Sequence, residues 1–96
     1  MKLLLLIYSG PTPERISALL ELHDAPGFTQ LEPARGAGSS GRMAGTRAWP
    51  GTSTVFMSVI PTERVTVMRA ALLDYRSAAV EGEHLHVATM PIDDYL

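Results

Sequence analysis

Lys2-Leu3-Leu4-Leu5-Leu6-Ile7-Tyr8-Ser9-Gly10-Pro11 decides the architecture. The apolar residues follow one another without alternation and stop at the turn formers Ser9-Gly10-Pro11, which is the pattern of a strand with apolar surroundings on both faces. The run is far shorter than the roughly 20 apolar residues that a membrane span requires. A polar turn and a charged, helix-patterned segment follow it with no small-residue cleavage site, so it is read as a buried first strand and not as the core of a signal peptide.

Reading outward, Thr12-Pro13-Glu14 supplies an N-cap, a proline suited to the first helical position and an acid in the first turn. Ile16, Leu19, Leu20 and His23 recur at helical spacing, so a helix is expected to end near Asp24, before Ala25-Pro26-Gly27. Phe28 to Ala34 reads as a weaker strand, with Thr29 and Leu31 on one face and Phe28, Gln30 and Glu32 on the other. Thr54-Val55-Phe56-Met57-Ser58-Val59-Ile60 is a second strongly apolar, β-branched run, stopped by Pro61. Thr62 is expected to cap a second helix whose stripe is Val65, Met68, Leu72 and Tyr75. Gly82 marks a loop, and His84-Leu85-His86-Val87-Ala88-Thr89-Met90 alternates as a last strand. Residues 91–96 form a short tail with the acidic pair Asp93-Asp94.

The order βαββαβ folds most economically as an α+β, ferredoxin-like sandwich: a four-stranded antiparallel sheet with two helices on one face. At 96 residues with 46% hydrophobic content, a single domain spanning 1–96 is expected. Two helices cover one sheet face only, whereas the two strongest strands are apolar on both. The uncovered face is therefore expected to be closed by another copy of the chain.

The formal net charge is -2, which gives no global attraction for nucleic acid or an anionic membrane. Cysteine is absent, which excludes disulfides, thiolate ligands and a thiol nucleophile and suits a cytoplasmic location. There is no asparagine, which an acylphosphatase-like site would need beside its arginine.

The segment 36–51 holds five of the eight glycines. No acid occurs between Glu32 and Glu63, whereas Arg35, Arg42 and Arg47 do, so a flexible loop at about 36–52 is a local cationic site on an acidic protein. Glycines let successive N–H groups turn inward as an anion nest, and arginines add bidentate donors. Gly36, Gly38, Ser39, Ser40, Gly41, Arg42, Thr46 and Arg47 are the candidate ligand-binding residues, and Trp49 the candidate loop anchor. A small anion is the expected ligand, with an adenine nucleotide as the candidate. No catalytic set is found: Ser39-Ser40 has no histidine near it in sequence, and the neighbouring carboxylates Asp93 and Asp94 point apart. His84 and His86, two apart on a strand, project to one face and are the alternative, metal-binding candidates.

In element order, in Gly27-Phe28-Thr29 ahead of the second strand and in the long loop at 36–51, the chain resembles the PII-like signalling proteins, as a divergent member of the PII and CutA-like group. The resemblance implies a non-enzymatic trimer with ligands in clefts between subunits and a loop that contacts a target protein such as a transporter or an enzyme. The segment that in PII proteins is rich in glycine and basic residues reads here Ser77-Ala78-Ala79-Val80-Glu81-Gly82-Glu83, with one glycine and two acids. The three tyrosines, Tyr8, Tyr75 and Tyr95, lie outside the loop, so control by tyrosine modification there is not expected. A CutA-like metal-responsive protein and a dimeric αβ-barrel enzyme are the alternatives; the latter calls for a polar cavity between sheet and helices.

Overall fold

The computed structural model describes residues 1–23, 27–34, 37–38, 41–42 and 53–96. The apolar run at the start is strand β1 (Lys2–Ser9), followed by helix α1 (Pro13–Leu22), strand β2 (Thr29–Ala34), the two short strands β3 (Ala37–Gly38) and β4 (Gly41–Arg42), strand β5 (Ser53–Ile60), helix α2 (Val65–Ser77) and strand β6 (His84–Pro91). The main sheet has the order β2-β5-β1-β6, with every neighbouring pair antiparallel. The two most apolar strands, β1 and β5, are the central pair. Each helix carries the chain over one strand to the next position but one, so two split βαβ units interlock. This is the expected ferredoxin-like sandwich. Within the glycine-rich segment the backbone adds a detail: β3 and β4 pair as a small antiparallel hairpin of their own, with Ala37 opposite Arg42 and Gly38 opposite Gly41.

The two faces of the sheet follow from the register. Toward the helices point Leu4, Leu6 and Tyr8 of β1, Thr54, Phe56, Ser58 and Ile60 of β5, and Leu85 of β6, all buried. Ile16 and Leu20 of α1 and Met68 and Leu72 of α2 close over them. Full burial of one such side chain is worth about 1.5–3 kcal/mol, which makes this layer the main source of stability. Phe28 packs on Phe56 with ring centroids 5.9 Å apart. The polar residues that interrupt β5 are all paired: the Ser58 hydroxyl donates to the Gly27 carbonyl at 2.8 Å and Thr54 to Glu32 at 3.1 Å. Ser9 and Ser53 share a buried hydroxyl–hydroxyl bond of 2.7 Å.

On the opposite face the register lines up Leu31, Val55, Ile7 and His86 in one row. Thr29, Met57, Leu5 and Ala88 form a second, and Val59, Leu3 and Met90 a third. No described helix covers this surface. Ile7 is 38% exposed and Leu31 50% exposed.

Thr12 holds the N-cap position of α1 ahead of Pro13, as expected, whereas the cap expected of Thr62 is corrected. Neither Thr12 nor Thr62 caps its helix with a side-chain hydrogen bond. A 3₁₀ turn over Thr62–Arg64 precedes α2, and Pro61, which has no N–H, stands at its start. The Thr12 hydroxyl is drawn to other partners, described next.

Candidate functional site

Three connections meet at one end of the sheet. The β1–α1 turn leaves at Ser9, the glycine-rich segment is rooted at Ala34 and Ser53, and the α2–β6 loop enters at His84. The register places Ser9 opposite His84 and Ala34 opposite Ser53, and the Ser9–Ser53 bond ties β1 to β5 there. The topology therefore brings the roots of the cationic segment and the loop containing Glu81-Gly82-Glu83 to the same rim.

At that rim a polar cluster closes the apolar core. The Tyr8 hydroxyl donates to Glu83 Oε1 at 2.6 Å and the Tyr75 hydroxyl to the same oxygen at 2.9 Å. Thr12 Oγ1 stands 3.4 Å from that oxygen, and the Val80 N–H donates to Glu83 Oε2 at 3.0 Å. The Tyr8 oxygen in turn accepts from the Thr12 N–H at 3.2 Å. The two tyrosine rings meet edge to face, 6.5 Å between centroids, and the Arg15 guanidinium lies 5.3 Å from the Tyr75 ring centroid. Gly10 is required by this packing, because a Cβ there would fall on the Tyr8 hydroxyl.

The electrostatics follow from the geometry. Burial pushes the Glu83 carboxyl upward, but the hydrogen bonds from Tyr8, Tyr75, Val80 and Thr12 outweigh it and hold the group below the usual glutamate range. Burial, and then the bond given to Glu83, push the Tyr75 hydroxyl up to about 12. At neutral pH the cluster is one carboxylate held by neutral donors.

Of the expected ligand-binding residues, Gly38, Gly41 and Arg42 belong to the paired strands β3 and β4. Gly36, Ser39, Ser40, Thr46, Arg47 and Trp49 lie outside the described residues. His84 and His86 are exposed on the face away from the helices. Glu83, their neighbour in sequence, is committed to Tyr8 and Tyr75, and no group of three or more His, Cys, Asp or Glu side chains gathers for a metal among the described residues. The core layer between sheet and helices is filled mainly by Leu, Ile, Phe and Met side chains. No described helix is long and apolar enough to cross a membrane.

Solved structures share this arrangement across nearly the whole chain. CPII, a nitrogen regulatory PII-like protein from Thiomonas intermedia K12 bound to ADP, AMP and bicarbonate, superposes with a TM-score of 0.67 at 21% identity, over 93% of this chain and 86% of that one. The chain has the PII-like fold. The apo form of CPII matches with a TM-score of 0.63 at 16% identity, over 93% of this chain and 87% of the other. A PII-like signalling protein of Thermus thermophilus matches with a TM-score of 0.61 at 19% identity, over 93% and 84% of the two chains. No protein-family model matches the sequence. No curated protein matches it either. The likeness to PII-like proteins is therefore one of fold, carried by element order and packing more than by residue identity.

The Tyr8–Thr12–Tyr75–Glu83 cluster escapes a reading of the sequence. Tyr8 closes an apolar strand and Tyr75 falls on a helical apolar stripe, so both read as core, and Glu83 lies 75 residues from Tyr8. The usable signal is the phenol itself, which carries a polar tip that needs a partner when its ring is buried.

Proposed function

We propose that the chain is a non-enzymatic, PII-like regulator that assembles as a trimer through the uncovered sheet face and binds a small anion, with an adenine nucleotide as the candidate, at the rim where its loops meet. The observation that carries this reading is the meeting, at one sheet end, of the roots of the cationic glycine-rich segment with the α2–β6 loop, beside an apolar sheet face that no described helix covers. Self-association through that face would bring a second subunit close to the rim and make the ligand site a cleft between subunits. That ADP and AMP are bound in the CPII structures supports a nucleotide as the ligand, and bicarbonate in the same structures supports an anion-accepting site.

Arg42 and Arg47, with Gly36, Gly38, Gly41, Ser39, Ser40 and Thr46, are assigned to the anion, and Trp49 to docking the segment on a neighbour or a target protein. A loop that orders around a ligand and then meets a protein partner is a regulatory device; it needs no catalytic residues. A cytoplasmic location fits the absence of cysteine.

Isothermal calorimetry with ADP and AMP tests the assignment. The wild type is expected to bind, and Arg42→Ala combined with Arg47→Ala to bind at least about tenfold more weakly, which is the loss of roughly one charge-assisted contact. Unchanged affinity in the double variant overturns the assignment of these arginines, and no binding by the wild type overturns the nucleotide.

A further inference from the structure

Glu83 is bound the way a protein binds a carboxylate ligand. Two phenol hydroxyls converge on Oε1 at 2.6 and 2.9 Å, the Thr12 hydroxyl stands 3.4 Å from the same oxygen, and a backbone N–H meets Oε2 at 3.0 Å. The donors come from four separate places: β1, the first residue ahead of α1, the C-terminal part of α2 and the loop after it. None of these hydrogen bonds comes from a charged group, and Arg15 reaches the cluster only through the Tyr75 ring. Neutral donors fixed around a planar anion, with a guanidinium behind one of the phenols, make a receptor selective for a carboxylate over a metal or a cation. Gly10 belongs to the receptor, since any side chain there would displace the Tyr8 hydroxyl.

The geometry points to a binding site for a small planar oxyanion, formed by Tyr8, Thr12, Tyr75 and the Val80 N–H, which the chain fills with its own Glu83. The occupant is supplied by the α2–β6 loop, and Val80 and Glu83 close that loop twice: once through the carboxylate and once through the bond from the Glu83 N–H to the Val80 carbonyl at 3.1 Å. A free carboxylate or bicarbonate entering the site must displace Glu83, and so loosens the loop that enters β6 at His84. Occupancy of the cradle is thereby linked to the conformation of the rim. Because the Glu83 side chain is tethered a few residues away, its local concentration is high, and free anions compete poorly while it is present.

Removing the resident side chain exposes the site to direct test. Glu83→Ala is expected to lower Tm by at least about 5 °C. Sodium acetate or bicarbonate then restores at least half of that loss in a saturable manner, whereas sodium chloride or phosphate at matched ionic strength does not. The Val80 amide, fast to exchange with deuterium in Glu83→Ala, is slowed again by acetate, which returns an acceptor to it. Adding Tyr8→Phe and Tyr75→Phe to Glu83→Ala abolishes the rescue. If Glu83→Ala is unfolded in chloride, the same comparison is read as the folded fraction by circular dichroism. Glu83→Gln keeps an acceptor in the cradle and responds to acetate far less than Glu83→Ala. The proposal is overturned if acetate acts no better than chloride or phosphate, if rescue survives without the two phenols, or if Glu83→Gln responds as strongly as Glu83→Ala. None of these readouts involves a nucleotide, so they stand or fall apart from the ligand assigned to the arginines.

Discussion

The two faces of the sheet are built from the same kind of residue and meet different fates. Leu4, Leu6, Phe56 and Ile60 point one way and are sealed under α1 and α2. Leu3, Leu5, Ile7, Val55, Met57 and Val59 point the other way and meet no helix. Alternation along a strand sends successive side chains to opposite faces, so a strand apolar at every position must find cover twice. The described helices supply cover once. The difference assigns folding to one face and leaves the other for the proposed association, with the rim where the loop roots meet at one end of the sheet.

Substitutions that remove this distinction are expected to fall in a clear order. The largest effect belongs to the sealed face: Phe56→Ala should cost about 3–5 kcal/mol in chemical denaturation, because it removes a fully buried ring and leaves a cavity. A loss below about 1 kcal/mol would mean that the helices do not hold the core as described. On the open face, Leu5→Glu should leave the far-ultraviolet circular dichroism of the fold in place while lowering the molecular mass in solution to that of one chain. If it unfolds the chain outright, folding and association are not separable by face.

A smaller effect tests how the sealed face ends at the rim. Glu83→Gln keeps the shape of the side chain and removes its charge, and should cost about 2 kcal/mol at neutral pH through weakened charge-assisted bonds to Tyr8, Tyr75 and Val80. The sign of its pH dependence is fixed, because the carboxyl is held below its ordinary value in the folded chain. The stabilisation is complete above the ordinary glutamate pKa of about 4.3 and is lost as pH falls through the lowered value, so the gap between wild type and Glu83→Gln should close in acid. A gap that stays constant from neutral pH to below pH ~3 would show that the charge of Glu83 has no part in it. Least of all, in the single chain carrying Leu5→Glu, where the open face meets solvent, His84→Ala and His86→Ala should change stability by no more than about 0.5 kcal/mol. They should also leave thermal stability in zinc or copper unaltered, and loss of a metal-induced shift would favour the metal-responsive alternative.

How much could be read in advance depended on whether the signal was local. The central strands announced themselves through uninterrupted apolar runs, and α1 and α2 through Ile16–Leu20 and Met68–Leu72 spacing, so element order and sheet class followed. That both helices pack on one sheet face followed as well, because it requires only counting helices against apolar strand faces. Thr12 holds the N-cap position of α1 but without a side-chain cap bond, and the cap expected of Thr62 did not hold. Thr12 is the instructive case: its hydroxyl has a carboxylate and a phenol within reach, and these exist only once residues 8, 12, 75 and 83 are assembled. The Glu83 cradle was hidden for the same reason, since it joins four places whose proximity is a property of the topology and not of any segment. The departure at Ser77–Glu83 from the glycine- and base-rich pattern of PII proteins was visible, and the structure supplies its physical meaning: Glu83 holds the loop by binding inward. The roles given to the glycine-rich segment rest on Gly38, Gly41 and Arg42 in the small hairpin and on residues outside those described.

The central claim is that the uncovered sheet face is a self-association surface. Multi-angle light scattering on the purified wild-type chain at micromolar concentration tests it most directly. A mass three times that of one chain is the result this account predicts, and a single-chain mass under the same conditions would contradict it.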